Sequence, residues 1–143
     1  MHKNNYNFTY THYETFNVNK SKINIVHVPN KFIFASFIKN TSIATSTMIV
    51  KRSIAKGIKF SNSKICEDYY YKCQLLKKIG YAYCHPSYLT KYQIRKNSLQ
   101  SNRIRNLYWI WKINSNLNHF NVLKNLISIF FISLNSIKKY GFR

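Results

Sequence analysis

The stretch Ile65–Gly80, ICEDYYYKCQLLKKIG, decides how the rest of this chain is read. Its side chains at 69, 73, 76 and 79 recur every three or four residues, which puts Tyr69, Cys73, Leu76 and Ile79 on one face of a helix and Lys72, Lys77 and Lys78 on others. Gly80 stops the helix. Glu67 and Asp68 open it. The chain has three acidic residues against 23 Lys+Arg, so two of the three stand side by side at this one point. Acids in the first turn and lysines in the last both complement the helix dipole, each group being worth ~0.3–1 kcal/mol. Capping is therefore one reading of Glu67 and Asp68, and proton-transfer chemistry is the other.

Upstream, Tyr6–Tyr13 alternates aromatic and polar residues as a strand does, with Glu14 ending it. Ile23–Val28 reads as a second strand that stops at Pro29, and the two are expected to pair as a hairpin. In residues 30–41 apolar groups at 33, 34, 37 and 38 predict a short helix opening near Ala35. Met48–Val50 reads as a buried strand leading into a turn or short helix that ends at Gly57. Downstream, Tyr81–Cys84 and Tyr88–Ile94 are predicted as two strands separated by His85-Pro86. A polar loop, Arg95–Asn102, then precedes helices over Ser101–Ile113 and Val122–Ile137. The stripe Leu123, Leu126, Ile127, Phe130, Leu134 and Ile137 on the last helix is expected to pack on the core. The alternative is an interfacial helix at a membrane surface, since Lys124, Lys138, Lys139 and Arg143 flank it and the apolar run falls short of the roughly 20 residues a bilayer requires.

At 143 residues the chain has length for one domain with a core, and 45% hydrophobic with 17% aromatic residues excludes wholesale disorder despite a net charge of +20. Usage leans on Lys, Asn, Ile, Tyr and Phe, as AU-rich codons supply, and the lysines are dispersed with no run of five. The charge therefore reads as a solvated surface. No zinc-finger spacing, RNP-type segment or glycine-rich loop points to nucleic acid. Cys66, Cys73 and Cys84 are odd in number and contain no CxxC, so neither a disulfide framework nor a metal site is expected, and a reducing cytosol fits. The first 14 residues lack the apolar core of a signal peptide. A cytoplasmic protein is expected, with peripheral contact at the inner face of the cell membrane as a further option.

The order of these pieces resembles the C-terminal half of bacterial family 2 glycosyltransferases with the GT-A fold, of the type that builds surface polysaccharides. The similar stretches are FTYTHYETFNVN (8–19), HVPNKFIFASFIKNTSIATSTMIVKRS (27–53), EDYYYKCQLLKKIGYAYCHPSYLTKYQIRKNSLQSN (67–102) and LYWIWKI (107–113). The resemblance implies an α/β fold: part of a GT-A-like mixed sheet with covering helices and a C-terminal helical pair. Residues 1–100 would form the acceptor-side half and residues 101–143 a helical extension packing on it.

The resemblance also implies inverting sugar transfer from a nucleotide-sugar donor to a glycan or lipid-linked acceptor. Asp68 matches the aspartate of an ED-type motif that takes the proton of the attacking acceptor hydroxyl, and Glu67 would orient or supplement it. Thr45, Ser46 and Thr47 match the segment lining the acceptor side. Arg95, Ser98 and Ser101 lie in a loop similar to one that closes over the donor diphosphate, although Gln93 stands where many members carry an arginine. Such enzymes also hold a divalent metal, Mg or Mn, with a DxD motif in a nucleotide-binding half. This chain has one Asp and hence no DxD, so no metal or other cofactor is expected within it, and the isolated chain is expected to be inactive. Two competing expectations stand beside this one. The first is a non-enzymatic basic module for an anionic membrane surface or nucleic acid; the second is a non-functional gene fragment with an exposed sheet edge.

Overall fold

The computed structural model describes residues 6–17, 19, 21–95 and 102–140. Strand β1 (Phe8–Phe16) lies inside a five-stranded mixed sheet. On one side it pairs antiparallel with β2 (Lys22–Val26), which makes the expected hairpin. On the other it pairs in parallel with β5 (Tyr81–Gln93), which in turn takes the short edge strand β3 (Lys31–Ile33) antiparallel. The order is β2-β1-β5-β3, and β4 (Ile49–Val50) adds to the start of β1 through Phe8 and Thr9. Parallel neighbours need a long crossover, and helix α3 (Glu67–Ile79) completes it immediately before β5.

Glu14 does not end β1. The strand runs two residues further and is buried on both faces, Phe8, Tyr10 and Tyr13 together with Thr11, His12 and Thr15. A central strand covered on both sides loses the polar-out alternation that the sequence pattern implied. Its polar groups are satisfied locally: the Thr15 hydroxyl donates to Asn24 O at 3.1 Å, and His12 Nδ1 accepts from Val28 N–H at 3.1 Å.

The two strands expected around His85-Pro86 are one. Thr11 pairs with His85 and His12 with Tyr88, so Pro86 and Ser87 bulge out and β5 continues past them. A bulge is where a strand tolerates a residue with no N–H to donate.

Helix α3 begins after Cys66, whose backbone is left-handed at φ 61°, and closes on Gly80 at φ 87°, with Gly80 N–H donating to Leu76 O at 2.9 Å. Tyr69, Cys73 and Leu76 are buried as expected. So is Lys72, although it lies on a different face of the helix from those residues. The Tyr69 ring stacks on Phe37 of the four-residue helix α1 (Phe34–Phe37), with centroids 5.7 Å apart. Tyr10, Phe32, Phe37, Leu75 and Leu76 form the centre of the core. A second four-residue helix, α2 (Arg52–Ala55), lies on the periphery, where the Lys78 ammonium donates to Ile54 O.

The C-terminal pair is α4 (Arg103–Asn116) and α5 (Val122–Tyr140). The interface that joins them to the rest is polar. Asn114, fully buried, accepts from the Tyr69 hydroxyl at 2.8 Å and from the Asn118 amide at 3.1 Å, and donates to Asn125 Oδ1 and Ser128 Oγ, both at 3.2 Å. The Ser128 hydroxyl in turn donates a hydrogen bond to Ile38 O at 2.6 Å. The result is a mixed α/β fold with covering helices and a C-terminal helical pair, consistent with part of a GT-A-like domain.

The apolar stripe of α5 departs from expectation. Leu123, Leu126, Phe130 and Leu134 face outward, while Asn125, Ser128 and Ile132 are buried. The buried amide and hydroxyl network, not the leucine stripe, sets the orientation of this helix.

Candidate functional site

Between the helix pair, β1, the end of β5 and the start of α3 lies a cavity of about 1110 Å³. Asp68 lines it from the first turn of α3, where the helix N-terminus itself favours an anion. Two donors converge on one carboxylate oxygen: the Thr45 hydroxyl reaches Asp68 Oδ2 at 2.6 Å and the Lys72 ammonium reaches the same atom at 2.7 Å. Thr45 arrives from a short 3-10 turn, Thr45–Thr47, held by the Thr47 N–H and hydroxyl on Ala44 O. Lys72 comes from one turn further along α3. Burial pushes the Asp68 pKa up. The Lys72 charge and its hydrogen bond, with that of Thr45, outweigh burial and hold the carboxyl below its ordinary value, so it is ionised at neutral pH.

The remaining charges lining the cavity, among the described residues, are Lys72, Arg95, Arg103 and Lys139, so one carboxylate faces four cations. Lys139, near the end of α5, has its pKa pulled down to about 8, first by burial and then by the charge of Lys72. Arg95 is steadied by its neighbour, its Nε and Nη2 donating to Gln93 Oε1 at 3.3 and 3.2 Å. Gln93, the position where the sequence departs from the glycosyltransferase pattern, thus carries the arginine that follows it.

Of the residues singled out from the sequence, Asp68, Thr45, Ser46 and Arg95 line the cavity. Thr47 is buried, its hydroxyl engaged with Ala44 O, and does not line it. Glu67 is exposed on the outer side of the helix start and is likewise absent from the lining. Ser98 and Ser101 lie outside the described residues. Sequence reasoning missed Lys72, Arg103 and Lys139. For Lys72 a signal existed, because a basic residue four positions after an aspartate in a helix is placed to pair with it.

The Asp68 carboxylate is already paired with an ammonium group, and no group of three or more His, Cys, Asp or Glu residues is gathered anywhere among the described residues. What the arrangement provides is an ionised carboxylate at the wall of a cavity whose other charges attract anions.

Comparison with known proteins gives one line of support. No protein-family profile and no solved structure matches the chain. Over 147 aligned residues the chain is 28% identical to the UDP-Glc:alpha-D-GlcNAc-diphosphoundecaprenol beta-1,3-glucosyltransferase of Escherichia coli, an alignment that takes in 99% of this chain and 55% of that enzyme. The chain therefore spans about half the length of the curated relative it matches, and the similarity supports a distant relationship to glycosyltransferases.

Proposed function

We propose that these 143 residues carry the acceptor-binding and catalytic-base part of an inverting, family 2-type glycosyltransferase, with the donor-binding part supplied by other sequence. In this reading residues 1–100 are the acceptor-side half and residues 101–143 a helical extension that closes the cavity. The observation that carries it is Asp68, an ionised carboxylate held at a cavity wall by Thr45 and Lys72. The Thr45 and Lys72 hydrogen bonds both fall on Oδ2. An acceptor hydroxyl hydrogen-bonded to Oδ1 would pass its proton to Asp68 as its oxygen forms the new bond to the anomeric carbon; the bond from that carbon to the diphosphate oxygen breaks, and the nucleoside diphosphate leaves. Thr45 and Lys72 fix the carboxylate in place for that transfer. Arg95, with Arg103 and Lys139, gives the departing negative charge a cationic wall.

The donor is a nucleotide-activated sugar and the acceptor a glycan or a lipid-linked sugar, as the name of the Escherichia coli relative illustrates for that enzyme. A metal on the donor diphosphate belongs with the donor-binding part, and the residues of this chain take no share in holding it. The 143 residues alone are inactive; measurable transfer by the purified chain would overturn this. The deciding experiment joins the chain to a donor-binding half and compares the wild type with Asp68→Asn. Loss of transfer by about 10²–10⁴-fold with an unchanged melting curve is expected for removal of a general base. Full activity in that variant would refute the role of Asp68.

A further inference from the structure

Helix α5 is turned inside out. Along its 19 residues the buried side chains are Asn125, Ser128 and Ile132, with Ile129 partly buried against the core and Ile137 lining the cavity, and the opposite face presents Leu123, Leu126, Phe130 and Leu134, exposed at 68%, 53%, 59% and 40%. Ile127 and Phe131, each 40% exposed, widen the same face. A surface helix ordinarily buries its apolar stripe and wets its polar one. Here the polar stripe is buried because it is used: Asn125 donates to Trp111 O and Ser115 Oγ, and Ser128 donates to Ile38 O. Two polar side chains elsewhere on the helix are also tied back to backbone, Ser133 to Ile129 O and Asn135 to Lys39 O. What is left outward is a contiguous apolar band of the kind that marks an interaction surface.

The surroundings of the band say what covers it. A shallow groove of about 340 Å³ separates it from α1 and is lined by Ala35, Ile38, Leu123 and Ile127, with Lys39 and Lys124. The Lys39 ammonium lies 5.4 Å from the Phe131 ring and that of Lys124 lies 4.2 Å from the Phe120 ring, so both stems lie along apolar surface. Lys138 is exposed at the far end of the helix. The three acids of the chain are Glu14, Glu67 and Asp68, none of them on α1, α4 or α5. A second copy docked by the same face would set lysine against lysine without a carboxylate to answer either, whereas a sheet of lipid phosphates over an apolar layer answers both features. Among the described residues no helix is long and apolar enough to cross a membrane, so the contact is one that lies along the surface.

We propose that the outward face of α5, with the groove it shares with α1, docks on an anionic bilayer surface, its apolar band entering the boundary of the acyl layer and Lys39, Lys124 and Lys138 meeting lipid phosphates. This stands on the orientation of α5 and does not depend on the reading of Asp68.

The test is co-sedimentation of the full 143-residue chain with vesicles of phosphatidylcholine alone and of phosphatidylcholine and phosphatidylglycerol at roughly two to one, at low and high salt. Two variants change exposed side chains only: Leu126→Ser with Phe130→Ser, and Lys39→Gln with Lys124→Gln and Lys138→Gln; thermal melting controls for folding. The wild type is expected to prefer the anionic vesicles, and the apolar double variant to bind them at least about tenfold more weakly. The lysine triple variant should lose the preference for anionic lipid. Equal binding by the wild type and the apolar variant would overturn the proposal, since dispersed charge alone would then account for binding. So would absence of binding, or a dimer in sedimentation velocity that the apolar variant dissolves.

Discussion

The Lys72 ammonium meets the Asp68 carboxylate at 2.7 Å across one turn of α3, with 5% of the Lys72 side chain exposed and 24% of that of Asp68. A lysine this deeply covered has given up most of its hydration, and the carboxylate is what makes that tolerable. Lys72 in turn holds Asp68 below the ordinary carboxylate pKa against the push of burial.

Replacing Lys72 by Met keeps the stem and removes the charge. The Asp68 carboxyl should then titrate above its wild-type value, and the fold should lose about 1–3 kcal/mol at neutral pH, the cost of a partly buried acceptor stripped of its charged partner. The folded-state pKa of Asp68 in the wild type lies below the unfolded one, so the stability it contributes is present above the unfolded value and disappears as pH falls through the folded one. Urea denaturation of both proteins at neutral and acid pH checks this: the gap between them should shrink in acid, and a constant gap would mean that Lys72 acts by packing alone.

Lys139 titrates in the opposite sense. Its folded-state pKa of about 8 lies below that of a free lysine, so between pH 8 and the ordinary lysine range the unfolded chain binds the extra proton and stability rises with pH. The thiols of Cys66 and Cys73, each pushed up to about 12 chiefly by burial, push stability the other way over part of that range. The difference between wild type and Lys139→Met isolates the lysine. Lys139→Met should be the more stable protein near neutral pH, and its advantage should fade above pH 8; an advantage that does not change with pH would contradict the assignment.

The amide of Asn114 holds three elements together, touching Tyr69 on α3 and Asn125 and Ser128 on α5. Asn114→Ala takes one hydrogen-bond partner from each of those groups in a buried interface. A loss of about 2–4 kcal/mol is expected, more than a single hydrogen bond is worth, because several buried groups lose partners at once. Chemical denaturation measures it directly, and a cost below about 1 kcal/mol would show that water replaces the amide.

Gly80 closes α3 at φ 87°, and a Cβ built there meets nothing within 4 Å. Gly80→Ala therefore tests backbone conformation with no steric contribution. Its expected cost is about 1 kcal/mol, visible as a lower melting temperature with α3 retained by circular dichroism.

Helix α3 was legible from its own residues, because its acidic start, apolar spacing and terminal glycine are all local signals, and Asp68 was legible with it. Features set by distant partners were not. Pro86 reads as a break, yet β5 passes it because β1 offers a register in which Pro86 and Ser87 bulge away. Lys72 reads as a solvated lysine unless its spacing from Asp68 is given weight. Leu126 and Phe130 read as core. The side that α5 buries is chosen by Asn114 and Ile38, which lie in other parts of the chain. Lys139 entered the cavity only through that same orientation.

The parallel pairing of β1 with β5 sets how this protein must fold. Thr9 pairs with Tyr83 and Phe16 with Gln93, so the middle of the sheet cannot zip until nearly two thirds of the chain is available and the entropy of closing that long loop has been overcome. The β1–β2 hairpin needs only its own short connection and can form early. During synthesis β1 leaves the ribosome long before its central neighbour and waits with one edge open, a template for any other extended segment. Closure of the sheet is then expected to be the slow step, and α3, the last element made before β5, delivers the missing strand.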